Sequence, residues 1–334
     1  MSKEESTILK GVAILMMLFL HLFNKENLPD VCQPLFYIGD IPLVHLLSRA
    51  ANPVAIFIIL SGYGLSAVYE RGNLNLRSQS KRLLKLYIHY WLILLVFVSI
   101  GTFVRPDKYP GSFTTVFLNF TSWNNSYNAE HWFLFPYALV SLTAYPLFRV
   151  IDHMGNKRAL LLFFVITFVS NYVTSRYIAV NQLYDTLLAR FLTYIGFFFC
   201  FALGAVMYRV HVKRGLRVAW LEKRPYFAVL LLLVLTVIRC FFKTGTFHSF
   251  YIFFCIILFL HVPLCSLLRR FLSEIGNRSM VMWLTHTFFC NYLFRDFIYG
   301  FSNPVLIYCV LLVVSYVVSI PIMKIANAII GKIG

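Results

Sequence analysis

Lys10 and His21 bound a run of apolar residues, Gly11 to Leu20, that contains no other ionisable side chain. Eleven positions at about 100° each return almost to the starting direction, so in a helix the two side chains share a face, about 16 Å apart along the axis. One end then sits at a membrane surface and the other near the membrane's middle. Histidine is the side chain that passes most readily between base and acid near neutral pH, and an ionisable group inside a span is by default a functional one. The alternative is a histidine hydrogen-bonded to a neighbouring helix, without chemistry.

Three further groups could join that chemistry. Arg77, Lys81, Arg82 and Lys85 precede an apolar stretch, the last three at helical spacing. Such a cluster suits a phosphate group, and it suits equally the topology-setting charge that flanks membrane helices. It lies on the same membrane face as Lys10, so a polyanionic cytosolic cofactor held there could send an arm toward His21. Trp123, Asn125, Tyr127 and Trp132 combine aromatic faces with an amide, a pairing that grips sugars by stacking and hydrogen bonding. Tryptophan and tyrosine also gather at any membrane interface. Glu130, among them, is one of few acids at a membrane boundary and could orient an imidazole or accept a proton. His286 lies eight residues beyond Arg278, about 12 Å into the membrane if Ser279 caps a new helix, in the same layer as His21. His261 falls at a comparable depth and His89 shallower, so a buried histidine alone does not single out a site.

The elements that must carry these side chains follow from composition. Of 334 residues, 60% are apolar and 13% charged, and mean hydropathy is +0.74, whereas a soluble domain is about 25% charged. The chain is therefore expected to be an all-α membrane protein, a single unit over 1–334. Apolar segments near 8–23, 51–69, 86–104, 131–148, 159–175, 187–208, 226–242, 249–268, 279–299 and 304–326 predict about ten spans, each near the 17–25 residues a bilayer needs. With the N-terminus inside, 21 basic residues fall on the inner side and 8, Lys243 among them, on the outer, with Arg239 inside a span. Both termini are thus expected in the cytoplasm. The formal net charge of +17 reflects that orientation, and a nucleic-acid partner is unnecessary.

Other features read as structural. The seven cysteines show no paired motif, and most fall in spans as small apolar residues. The first apolar run lacks a small-residue cleavage site and is expected to be a retained helix. Gly62 and Ser66 suit close helix approach more than substrate contact. Arg239 can snorkel to the outer surface, or with Arg176, Arg190 and Arg295 meet an anionic acceptor there. No internal repeat is evident, which disfavours transporters built from duplicated halves.

Taken together, these residues resemble the acyltransferase-3 family of integral membrane acyltransferases, which includes O-antigen and exopolysaccharide acetyltransferases. Lys10 and His21 stand as the family's basic residue, ten positions and a histidine in the first helix. Phe57 to Leu65 resembles its second-helix signature. Arg82-Leu83-Leu84-Lys85 resembles a paired-arginine motif assigned to acyl-CoA, with lysine replacing the second arginine and so losing the bidentate fork. Trp132-Phe133-Leu134 resembles the tryptophan-bearing start of a middle helix, and Gly276 to His286 the late glycine-serine-histidine segment. The resemblance covers nearly the whole chain. It implies an acyl group taken from cytosolic acyl-CoA, acetyl-CoA above all, and placed on a hydroxyl of a surface or lipid-linked saccharide, without a metal.

The expectation is thus an O-acyltransferase of the cell (plasma or inner) membrane. His21 is the base, Glu130 and His286 stand beside it, and Lys10, Lys81, Arg82 and Lys85 hold the cofactor. Trp123, Asn125, Tyr127 and Trp132 face the acceptor. The rival class is a transporter or flippase in which the same histidines relay protons. A third reading is a catalytically silent export partner.

Overall fold

The computed structural model describes residues 1–25, 27–242, 245 and 247–333, so Lys243 lies outside the described residues. The first half of the chain forms α1 (Lys3–Phe23), α2 (Leu43–Ser48), α3 (Pro53–Glu70), α4 (Leu76–Val104), α5 (Phe113–Phe120), α6 (Leu134–Leu142), α7 (Ala144–Met154) and α8 (Asn156–Val173). The second half forms α9 (Leu187–Gly196), α10 (Phe198–Arg214), α11 (Ala219–Lys223), α12 (Pro225–Phe241), α13 (His248–Phe259), α14 (Ser266–Thr287), α15 (Arg295–Tyr299) and α16 (Pro304–Ile333). A two-residue hairpin, β1 (Tyr37–Ile38) with β2 (Ile41–Pro42), interrupts the loop after α1.

Local chemistry explains the helix starts. Ser2 and Glu5 close a reciprocal capping box on α1, and Glu4 and Glu5 in its first turn complement the helix dipole. Asn75 and Ser78 cap α4 in the same way, and Asn52 caps α3 ahead of Pro53.

Among the described residues, six helical segments are long and apolar enough to cross a bilayer: Lys3–Phe23, Leu43–Glu70, Leu76–Val104, Asn156–Ile178, Leu187–Arg214 and Pro304–Lys332. The α6–α7 pair, bent by 56°, makes a seventh if it is one span. The chain is a multi-pass helical protein, and the expected ten spans compare with these six or seven. Two expected spans differ in their bounds. The helix near 249–268 stops at Phe259, and α14 starts at Ser266 instead of Ser279. Arg269, Arg270 and Glu274 lower the hydropathy of its first half, which hides that half from an apolar-run reading. Ser279 is therefore no cap; its hydroxyl donates to the Gly276 carbonyl at 2.8 Å within the helix.

Two glycine contacts organise the core. A Cβ on Gly11 would meet the Leu272 carbonyl, and one on Gly276 the Thr7 carbonyl, so α1 and α14 touch backbone to backbone. Gly62 and Gly204 do the same for α3 and α10, against Phe201 and Ile59, which assigns Gly62 to packing.

Candidate active site

Gly11 and Gly276 let α1 and α14 run side by side, and the histidines near their C-terminal ends meet. The rings of His21 and His286 lie 5.1 Å apart, centroid to centroid. Glu130, from the irregular turn Ala129–Phe133, brings Oε1 to 3.8 Å from His21 Nδ1. That is ion-pair range, and a shift of less than about 1 Å would make it a hydrogen bond. His286 is wholly buried. Its Nδ1 donates to the carbonyls of Met282 at 3.1 Å and Trp283 at 2.8 Å, so Nε2 carries the lone pair and has no partner among the described residues.

The carboxylate is held from the far side. Tyr292 Oη donates to Glu130 Oε2 at 2.9 Å, and Asn291 Nδ2 to Oε1 at 3.4 Å. Lys25 Nζ donates to Asn291 Oδ1 at 3.2 Å, and the Lys108 ammonium lies 4.0 Å from the Tyr292 ring centre. Burial holds both ammonium groups below their usual range, with Glu130 opposing the effect. His131 is buried beside Tyr90 and Phe288 and donates through Nε2 to the Leu284 carbonyl at 2.9 Å.

Further back along α1, a cleft of about 300 Å³ opens among Lys10, Met17, Arg82, Lys85, His89 and Tyr137. Met17 stands one turn before His21, so the cleft runs from a cationic mouth to within a turn of the histidine. Arg82 Nη2 donates to the Tyr137 hydroxyl at 2.9 Å, which also lies 3.2 Å from Ser61 Oγ. Lys10, Arg82 and Lys85 converge here. Lys81 does not: it is exposed and off the cleft, because neighbouring helix positions diverge by about 100°.

The four aromatic and amide residues do not gather. Tyr127 is buried and donates its hydroxyl to the Pro110 carbonyl, while its own carbonyl accepts from Tyr109 at 2.7 Å, so it builds the loop. Trp123 packs edge-on against Phe135 with centroids 5.1 Å apart. Asn125 is half-buried, with Oδ1 unpartnered among the described residues. Trp132 is 38% exposed and lies against Phe133 and Phe197. Arg239 turns to the end of its own helix, toward the Phe242 carbonyl and His248. Sequence reasoning missed Asn291, Tyr292 and Tyr137. The signal for the first was present, an amide in an otherwise apolar and aromatic run just after His286. Among the described residues no three histidine, cysteine, aspartate or glutamate side chains are grouped to hold a metal ion.

Fold and site together define a multi-pass helical membrane protein with imidazoles and a carboxylate gathered between its helices. The acyltransferase-3 family model, an acyltransferase domain, matches residues 4–324, and the chain belongs to that family. It is a membrane acyltransferase. No curated protein and no solved structure matches the chain.

Proposed function

We propose that the protein moves an acyl group, acetyl in the first instance, from cytosolic acyl-CoA to a hydroxyl of a surface or lipid-linked saccharide. The observation that carries this reading is the arrangement along α1, a cationic cleft at Lys10 that leads toward a histidine paired with a carboxylate. Lys10, Arg82 and Lys85 neutralise the cofactor's phosphates at the cytosolic mouth, and the thioester arm follows the cleft past Met17. The 16 Å of helix between Lys10 and His21 is long enough to make an extended arm the natural ligand.

Glu130 faces His21 Nδ1, which favours the tautomer with its proton there and leaves Nε2 as the base. Nε2 takes the proton of the acceptor hydroxyl as its oxygen attacks the thioester carbonyl. The carbon–sulfur bond then breaks, the thiolate recovers the proton from His21, and the products are an ester and free CoA. General-base help of this kind is worth about 10²–10⁴ in rate. His286 Nε2, a buried acceptor beside His21, fits a second hydrogen bond from the acceptor. The protein works in the cell membrane with both termini cytoplasmic, which brings donor and acceptor in from opposite faces.

The test is to incubate membranes containing the protein with radiolabelled acetyl-CoA and to follow label into the glycan fraction. Label that depends on His21 supports the reading. Absence of transfer, with the protein shown to be inserted, sinks it in favour of a transporter or a silent export partner.

A further inference from the structure

Glu130 sits on a turn with little support of its own, yet each part of that turn is tied to the segment just after His286. Asn128 and Thr287 exchange hydrogen bonds of 2.7 and 2.9 Å, both side chains buried, and Asn128 Oδ1 also accepts from the Glu130 amide at 3.2 Å. The Ala129 amide donates to the Tyr292 hydroxyl at 2.9 Å, and that hydroxyl donates onward to Glu130 Oε2 at 2.9 Å. One phenol thus fixes both the backbone before the acid and the acid itself.

The geometry depends on a widened turn. Leu293 N–H bonds to the Phe288 carbonyl, five residues back, at 2.7 Å. One residue is in effect added to the helix, so Asn291, five beyond His286, takes roughly the place on that face that the fourth residue would hold in a regular helix. Asn291 then reaches Glu130 Oε1, the oxygen that faces His21, and carries Lys25 on its own carbonyl. Wide turns of this kind interrupt helices frequently at functional sites.

We propose that Asn291 and Tyr292 are positioning residues of the transfer reaction. They hold the Glu130 carboxylate with Oε1 toward His21, and so set the orientation of the base. This rests on His21 being the base. Each acts through Glu130 and touches neither donor nor acceptor. Tyr292 keeps its ring under the Lys108 ammonium, so Tyr292→Phe removes the hydroxyl and leaves the packing.

The experiment is a double-mutant cycle on membranes supplied with radiolabelled acetyl-CoA, comparing parent, Tyr292→Phe, Glu130→Gln and the pair. Tyr292→Phe is expected to lower kcat about 10-fold or more, with KM for acetyl-CoA within 2-fold and the melting temperature in detergent little changed. Added to Glu130→Gln, it should cost less than about 2-fold more, because the group it orients is already gone. Asn291→Leu should follow the same pattern with a smaller loss. Equal losses from Tyr292→Phe in both backgrounds, or full activity of Tyr292→Phe in the parent, would overturn the assignment. The base reading is checked separately by His21→Ala: if that variant is active the base reading fails, and if it is inactive while Tyr292→Phe is normal, only the clamp fails.

Discussion

His21 and His286 each stand ten residues beyond the glycine at which their helices touch, Gly11 in α1 and Gly276 in α14. Glu4 and Arg269, 3.4 Å apart near the starts of the same helices, keep the same offset of 265 residues. The two helices therefore run parallel and in register from Glu4 to His21, about 26 Å. A contact near one membrane face thus sets the meeting of two imidazoles deep inside.

That register makes a prediction at a distance. Gly276→Ala improves helix propensity by about 1 kcal/mol, but its methyl meets the Thr7 carbonyl. The wedge is expected to cost about 1–3 kcal/mol of stability and to lower transfer about 10-fold, although Gly276 lies some 15 Å from His286. Gly64→Ala, where a methyl meets nothing within 4 Å, is the matched control and should change neither. Melting temperature and transfer rate, measured on both, check it. A normal Gly276→Ala variant would mean the backbone contact does not set the site.

His21→Ala should abolish acyl transfer while the protein still inserts, since the span becomes more apolar. The loss should reach about 10² or more. Activity within a few-fold of the parent, in protein shown to be correctly inserted, contradicts the base assignment.

At the cationic mouth the expectation is a split among neighbours. Arg82→Ala should raise KM for acetyl-CoA about 10-fold with little change in kcat, because contacts to remote phosphates are made equally in ground and transition states. Lys85→Ala should do so less, and Lys81→Ala hardly at all, since Lys81 lies off the cleft. Three equal effects would mark the cluster as general charge and not a binding site.

Sidedness can be read by labelling. In a background where the exposed Cys265 and Cys309 are serine, Asp107→Cys should react with an impermeant thiol reagent added outside intact cells, and Ser80→Cys only after permeabilisation. The reverse pattern would invert the protein in the membrane and with it the direction of transfer.

What was legible in the sequence is what helical periodicity encodes. Lys10, Met17 and His21 lie on one face of α1, and Arg82 and Lys85 line the cleft while Lys81, one position out of phase, does not. The start of α14 was hidden because Arg269, Arg270 and Glu274 interrupt the apolar run there. The hold of Asn291 and Tyr292 on Glu130 was hidden for a different reason. Their partner is more than 160 positions away, and their direction depends on one extra residue in a turn, which no regular period predicts.

The pairing of α1 with α14 also fixes when the protein can first work. The first helix leaves the ribosome some 265 residues before its partner, and at about 5–20 residues per second that is a wait of roughly 13–50 s. During it, α1 lies in the bilayer with His21 unmatched and a bare glycine face at Gly11, open to any small-residue helix nearby. A chain cut short before α14 would insert without ever assembling the centre, and a separately made C-terminal fragment carrying Gly276 and His286 has the surface needed to complete it.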